Sequence, residues 1–173
     1  HPMTRTVALI GAGAMGGAIG ARLATTGTVL RVFDLDPEKV AALVALGATA
    51  APTAAAAATG AAAVILSLNA PHIVRAAVFG PGGVAEGAAP GTLIIDMSSI
   101  DPTATRALAA DAAARGLRWV DSPLSGGIPK AATGQLTLMQ GGDPADVAQA
   151  QAVLAQVASN QTHMGPAGAG QTT

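Results

Sequence analysis

VALIGAGAMGGAIGARL, residues 7–23, joins a short apolar run to a glycine-rich turn and then to a helical pattern. Val7–Ile10 predicts a buried strand, and Ala14–Thr26 predicts a helix that Gly27 ends. The turn between them has the pattern G-x-G-x-x-G, and it consists of Gly11, Ala12, Gly13, Ala14, Met15 and Gly16. The stretch therefore predicts a strand, a tight glycine turn and a helix in immediate succession.

Each glycine of this turn has a separate physical use. Gly11 permits the tight turn, Gly13 lets the backbone approach a pyrophosphate, and Gly16 allows the helix to pack closely on the strand. The amino end of the helix adds N–H donors and a positive partial charge for phosphate oxygens. A glycine-rich chain contains such runs by chance, and a purely structural turn is the alternative. The strand before the turn and the helix after it favour dinucleotide binding.

An acidic residue follows the second predicted strand. Val29–Phe33 ends on Asp34, 23 residues after Gly11, close to the spacing typical of a ribose-binding carboxylate. Such a carboxylate accepts hydrogen bonds from the ribose hydroxyls and repels a 2′-phosphate, and Leu35 and Asp36 offer no cation to neutralise that phosphate. The pattern predicts NAD as the cofactor rather than NADP. The alternative is that Asp34 only caps the following loop.

Strand and helix patterns alternate along the rest of the chain. Further apolar strands are predicted at Val64–Leu68, Thr92–Asp96, Leu117–Asp121 and Gln135–Gln140, with a final edge strand at Gln161–Met164. Helices separate them, several opening on Asp-Pro, and the last is predicted near Ala145–Ala158. The fold class is therefore α/β: a Rossmann-type, doubly wound, mostly parallel sheet with helices on both faces. Residues 1–164 are predicted to form one dinucleotide-binding domain, with Met3 as the native start.

Composition excludes several function classes. Aromatic residues make up 2% of the chain and the net charge is −1, so neither a base-stacking platform nor a basic surface for nucleic acid is expected. The absence of cysteine excludes a disulfide framework and a thiolate metal site, and we expect no bound metal and a cytoplasmic location. The alanine-rich stretch 54–63 is too short to span a bilayer, so no membrane association is expected.

Four ordered motifs resemble those of one enzyme family. They are GAGAMGGAIGARL (Gly11–Leu23), IIDMSSIDP (Ile94–Pro102), VDSPLSGGIPKAATGQLTLMQGG (Val120–Gly142) and GPAGAGQTT (Gly165–Thr173). Together they are similar to the β-hydroxyacid dehydrogenases, which include 3-hydroxyisobutyrate dehydrogenase, tartronate semialdehyde reductase and, more distantly, 6-phosphogluconate dehydrogenase. The motifs extend over nearly the whole chain, so the resemblance is more specific than the glycine turn alone.

The resemblance implies roles for individual residues. Ser125 and the N–H groups of Gly126 and Gly127 stand where the family holds the substrate carboxylate, although Pro-Leu-Ser-Gly-Gly could be only a tight loop. Leu68 and Asn69 fall in the cofactor-contacting loop, with Asn69 in place of the family's proline. Ser99 stands beside the nicotinamide, and Met15 would lie under the cofactor.

The resemblance also implies what the protein does. It implies an NAD-dependent oxidoreductase that transfers hydride between nicotinamide and a small β-hydroxyacid or semialdehyde, within a homo-oligomeric parent protein. Residues 165–173 resemble the start of the interdomain segment, after which the family has a lysine as general acid/base and an all-helical domain. Neither lies within the 173 residues. We therefore expect this chain by itself to bind cofactor and to be nearly inactive.

Three alternatives stay open. An imine reductase shares the glycine turn, but it does not keep the Ser125–Gly127 pocket. A glyoxylate or succinic semialdehyde reductase favours NADPH, which Asp34 and Leu35 disfavour. A non-catalytic dinucleotide-binding module would keep the cofactor site and lack the proton-transfer lysine.

Overall fold

A computed structural model describes residues 5–172. The predicted start at Met3 and the outer ends of the ranges 1–164 and 165–173 lie outside the described residues. None of the helices within residues 5–172 has the length and hydropathy needed to cross a membrane.

The described part of the chain contains nine strands and eight α-helices. The strands are β1 (Thr6–Ile10), β2 (Val29–Phe33), β3 (Thr49–Ala50), β4 (Ala63–Leu66), β5 (Leu93–Asp96), β6 (Arg118–Asp121), β7 (Leu124–Ser125), β8 (Leu136–Gly141) and β9 (Ala158–Gly165). The helices are α1 (Ala14–Thr25), α2 (Pro37–Val44), α3 (Ala54–Ala58), α4 (Pro71–Phe79), α5 (Val84–Gly87), α6 (Pro102–Ala114), α7 (Gly127–Ala132) and α8 (Pro144–Val153). A 3-10 turn, Gly170–Thr172, follows β9.

The strands form one sheet in the order β3-β2-β1-β4-β5-β6-β8; β7 continues the pairing of β6 along the same edge of β8, and β9 pairs with the opposite edge of β8. All pairs from β3 to β6 are parallel, β8 runs antiparallel to β6 and β7, and β9 runs parallel to β8. The predicted Rossmann-type, mostly parallel sheet is confirmed. The chain leaves β1 in one direction for β2 and returns on its other side as β4, so the carboxyl ends of β1 and β4 form the switch point where such sheets bind ligands.

Successive residues of the central strands serve two separate cores. Leu9, Ile65 and Ile95 point to the side covered by α1, α2 and α8, where they are fully buried. Their neighbours, such as Val64 and Ile94, point to the side covered by α3, α4 and α6. Because both faces are covered, these strands are continuously apolar rather than alternating, as the sequence showed.

Some element boundaries differ from those predicted. Helix α8 ends at Val153 rather than Ala158, because Val157 accepts a hydrogen bond from the Leu136 N–H and Ala158 already belongs to β9. Strand β9 is consequently longer than the predicted Gln161–Met164. The short elements β7 and α7, which carry Ser125–Gly127, were not predicted. Both are too short to show a hydrophobic period.

Candidate functional site

Two glycines of the first turn are required by the protein's own packing. Gly11 has φ of +98°, and a Cβ there would collide with the Ser67 carbonyl oxygen at the end of β4. A Cβ at Gly16, within the first turn of α1, would collide with the Gly11 carbonyl oxygen. These contacts bring β1, α1 and the loop after β4 together at the switch point, so any side chain at either position would force them apart.

Neither packing nor backbone conformation within the protein requires a glycine at position 13. Its φ of −64° and ψ of −163° suit any residue, and a Cβ built on it would meet no protein atom within 4 Å. It is the N-cap of α1, and no side chain caps the first amides of this 12-residue helix. An open main-chain surface at an uncapped helix amino end fits the close approach of a pyrophosphate. The glycine turn therefore fits a dinucleotide on an observation independent of its sequence pattern.

Asp34 lies at the carboxyl end of β2 and faces the glycine turn. Its Oδ2 accepts a hydrogen bond from the Ala12 N–H at 2.6 Å, and its Oδ1 accepts one from the Asp36 N–H at 2.8 Å. The two bonds use only part of the capacity of a carboxylate, which has about four acceptor positions. Asp34 thus supports the glycine turn and the next loop, and it keeps acceptor positions for a ligand's hydroxyl groups.

A cavity of about 350 Å³ opens beside this carboxylate. Its volume is in the range of small-molecule sites, and its walls are mainly apolar. Residues from the loops after β1, β2 and β4 line it, together with α3 and α4; they include Gly11, Phe33, Asp34, Leu35, Leu68 and Ile73. A flat apolar group carrying a polyhydroxyl ring fits a cavity with one carboxylate at its edge.

The other predicted cofactor-contacting residues lie on two neighbouring loops. Leu68 and Asn69 follow β4, where Leu68 lines the cavity and Asn69 is exposed. Ser99 follows β5 and is also exposed, next to a buried Ser98. The two loops are joined because the Ser98 Oγ accepts a hydrogen bond from the Leu68 N–H at 2.9 Å. Ser98 therefore has a positional role, and Ser99 is the serine of this pair that is free to face a ligand.

Ser125, Gly126 and Gly127 lie beyond the carboxyl end of β6. Strands β6 and β7 run in the same direction along β8, with Asp121 opposite Gly141 and Ser125 opposite Thr137. All three predicted substrate-binding residues are exposed. The φ angles of +136° at Gly126 and +77° at Gly127 turn the chain into α7, which packs on α1. The loop therefore stands at the same edge of the sheet as the glycine turn.

Two buried aspartates end the adjacent strands β5 and β6. Asp96 and Asp121 are register partners in the parallel sheet, so their side chains leave the same face. The pKa of Asp96 is raised to about 7, chiefly because the carboxyl is buried; hydrogen bonds from Ser98 oppose this shift, and the nearby Asp121 adds to it. The Asp96 Oδ2 has no hydrogen-bond partner among the described residues. Burial also raises the pKa of Asp121, although main-chain N–H donors oppose the shift.

The sequence patterns missed the groups that fix these loops. Asp96, Ser98, Asp121 and Gln171 were read only as parts of motifs. The side chains of Ser98, Asp121 and Gln171 each bond a main-chain group of another segment, and Asp96 bonds the Ser98 amide within its own loop. The available signal was an acid at the end of an apolar strand, which is costly to bury without partners. No group of three or more potential metal-ligating acids or histidines occurs within residues 5–172.

Known proteins resemble the chain along nearly its full length. Residues 6–165 match the family described as the NAD binding domain of 6-phosphogluconate dehydrogenase. The NAD-dependent L-serine dehydrogenase of Pseudomonas aeruginosa is 41% identical over 167 residues, which cover 96% of this chain and 56% of that protein. Mycobacterium tuberculosis 3-hydroxyisobutyrate dehydrogenase, solved with L-serine, superposes with a TM-score of 0.93 at 36% identity, covering 98% of this chain and 57% of that one. Psf3 in complex with NADP+ and 2-OPP superposes with a TM-score of 0.91 at 27% identity, covering 96% of this chain and 59% of that one.

This chain spans a little over half the length of the curated relatives it matches. The match nevertheless includes every element from β1 to β9, and with it the glycine turn and the loops after β2, β4, β5 and β6. The resemblance to the β-hydroxyacid dehydrogenases is thereby confirmed. The chain belongs to the family of the NAD-binding domain of 6-phosphogluconate dehydrogenase, and its relatives include a 3-hydroxyisobutyrate dehydrogenase and an L-serine dehydrogenase.

Proposed function

We propose that this chain binds NAD and serves an oxidoreductase that transfers hydride between nicotinamide and a small β-hydroxyacid or the matching semialdehyde. The open main-chain surface at Gly13, at the uncapped amino end of α1, carries the proposal. The pyrophosphate would lie against Gly13–Met15, and the adenosine would extend into the cavity beside Asp34. The nicotinamide, when bound, supplies the acceptor or donor for hydride. The chain's own residues hold it at the carboxyl edge of the sheet.

The preference for NAD over NADP rests on Asp34. Its carboxylate is already anchored by the Ala12 and Asp36 amides, so it cannot swing away from a 2′-phosphate without leaving both amides unpaired. Leu35, which is 91% exposed, offers no charge in compensation. Psf3, a similar structure, was solved in complex with NADP+, so the fold by itself does not exclude that cofactor. The choice therefore depends on this loop.

The test is a calorimetric titration of the chain with NADH and with NADPH. We expect NADH to bind at least about 10-fold more tightly, the effect of one charge-assisted contact. Asp34→Asn should reduce this ratio towards one, whereas Asp36→Asn, which removes a neighbouring charge that only caps α2, should preserve it. Equal affinity of the unaltered chain for both cofactors would contradict the NAD preference, and binding of neither would contradict the proposed function.

For the substrate, we propose that the Ser125 hydroxyl and the amides of Gly126 and Gly127 hold a carboxylate. Their exposure at the edge that also carries the glycine turn supports this, as does the chain reversal at the two glycines. A carboxylate-bearing substrate distinguishes this reading from an imine reductase. Ser125→Ala in a full-length homologue with the same loop should raise KM for a hydroxyacid with little change in kcat. An unchanged KM would remove the substrate role.

The activity of this chain by itself is a separate proposal. The residues matched to the family motifs include binding groups but not the lysine that the resemblance assigns to proton transfer, which is typically worth about 10²–10⁴-fold in rate. We therefore propose cofactor binding with little turnover by these 173 residues, and a rate comparable to that of a full-length relative would refute it. The homo-oligomeric state and the cytoplasmic location stay predictions.

A further inference from the structure

Segment 168–172 is attached to the carboxyl end of β6 by one buried side chain. The Asp121 Oδ1 accepts a hydrogen bond from the Gly168 N–H at 2.8 Å, and its Oδ2 accepts one from the Gln171 N–H at 3.0 Å. Asp121 is fully buried, and it precedes Gly168 by 47 residues and Gln171 by 50 residues along the chain. Its carboxylate therefore holds both ends of a short turn in place.

The space around this carboxylate is shaped for it by two further glycines. A Cβ at Gly141 would approach the Asp121 Oδ1 to 2.7 Å, and a Cβ at Gly170 would approach the Oδ2 to 2.8 Å. Both distances are shorter than real Cβ contacts allow. The turn can therefore wrap closely around Asp121 only because these residues lack side chains.

The attached segment in turn holds the loop after β5. The Gln171 Nε2 donates to the Ser98 carbonyl oxygen at 2.7 Å, and its Oε1 accepts from the Ile100 N–H at 3.3 Å. The side-chain amide thus bonds the main chain on either side of Ser99. The same loop is held from the other side, since the Ser98 Oγ accepts from the Leu68 N–H and the Asp96 Oδ1 accepts from the Ser98 N–H at 3.0 Å.

We propose that Asp121 is a positioning residue that acts through Gln171: it fixes segment 168–172, and Gln171 then fixes the Ser98–Ile100 loop against Leu68 at the cofactor cleft. The inference rests on the proposed function, because it takes Leu68 and Ser99 as cofactor contacts. The connection runs in one unbroken series of hydrogen bonds from Asp121 to a residue that lines the cavity. Asp121 itself lies outside the described lining of that cavity.

The experiment combines amide hydrogen exchange by NMR with NADH titration on the full 173-residue chain. Asp121→Asn replaces one acceptor oxygen by an NH₂ group, so exchange at Gly168 and Gln171 should rise about 10- to 100-fold, the value of a hydrogen bond to a charged group. Gln171→Ala should raise exchange at Ile100 and leave the Gly168 amide protected. Asp143→Asn is the control, since this exposed aspartate makes no side-chain bond at the start of α8.

The NADH dissociation constant then separates positioning from mere stabilisation. Each single variant should weaken NADH binding about 3- to 10-fold while the chain stays folded. Because the two residues act in series, the double variant should bind NADH no less tightly than the single variant with the lower affinity. Additive losses, or unchanged affinity in Gln171→Ala, would overturn the inference. Gln171→Ala decides the matter even if Asp121→Asn fails to fold. If the unaltered chain does not bind NADH, the proposed function fails first and this inference with it.

Discussion

Gly13→Ala should strongly weaken cofactor binding without unfolding the protein. The added methyl group meets no protein atom within 4 Å, and the backbone angles at Gly13 are ordinary for alanine. Its effect on the free energy of unfolding should stay within about 1 kcal/mol, because a poorer N-cap residue is offset by the lower entropy of the unfolded chain. In the proposed binding mode, the same methyl group would stand where the pyrophosphate approaches the main chain. Loss of one or two charge-assisted hydrogen bonds should weaken NADH binding about 10- to 100-fold or more.

Two neighbouring glycines provide matched comparisons. A Cβ at Gly16 would collide with the Gly11 carbonyl oxygen, so Gly16→Ala should destabilise the fold by about 2 kcal/mol or more and lose binding as a consequence. A Cβ at Gly17 would lie 3.4 Å from the Ala12 carbonyl oxygen, an ordinary contact. Gly17→Ala should therefore keep binding and stabilise α1 by about 0.5–1 kcal/mol.

Urea unfolding and NADH calorimetry on the three variants are the assays. Gly13→Ala should lose affinity and keep stability, Gly16→Ala should lose both, and Gly17→Ala should keep both. If Gly13→Ala binds NADH as tightly as the unaltered chain, the pyrophosphate does not approach there, and the glycine turn would be structural only.

Two further predictions concern buried and half-buried charges. The raised pKa of Asp96 means that the folded state holds its proton more tightly than the unfolded chain, so this stabilisation is complete below about pH 3.8 and is lost as pH rises through about 7. Asp96 should thus contribute a decrease of about 4 kcal/mol in the free energy of unfolding between these pH values, measured in urea. Asp96→Asn should remove this contribution and leave the decrease that Asp121 causes in the same direction, so an undiminished decrease in the variant would contradict the assignment. The Arg118 guanidinium donates hydrogen bonds to Asp146 at 2.7 Å, to Gln149 at 2.6 Å and to the Gly91 carbonyl oxygen at 2.8 Å. Arg118→Ala should therefore lower the free energy of unfolding by about 1–3 kcal/mol. Arg75→Ala breaks the exposed ion pair with Asp111 and should lower the free energy of unfolding by less than about 1 kcal/mol. Equal losses of stability in the two variants, measured by thermal unfolding, would refute this ranking.

Local patterns were sufficient to predict the central architecture from residues alone. The run Val7–Ile10 indicates a buried strand, and the glycines after it satisfy requirements that arise within a few residues. These are the positive φ at Gly11 and the close packing of the helix at Gly16. The spacing from Gly11 to Asp34 similarly predicted a carboxylate beside the glycine turn, because a helix and a strand of nearly standard length lie between them. The fold class and the position of the proposed cofactor cleft follow from such local terms.

The connections between distant segments were decided by the tertiary structure alone. Asp34 could have been a ribose contact or a loop cap in the sequence, and the structure shows that it already binds the Ala12 and Asp36 amides. Asp121 and Gln171 are 50 residues apart, and no period or spacing relates them. Such hydrogen bonds form because the sheet places two distant chain segments side by side. They pair buried polar groups that would otherwise have no partner. That requirement is a property of the assembled fold, and so it leaves no local pattern in the sequence.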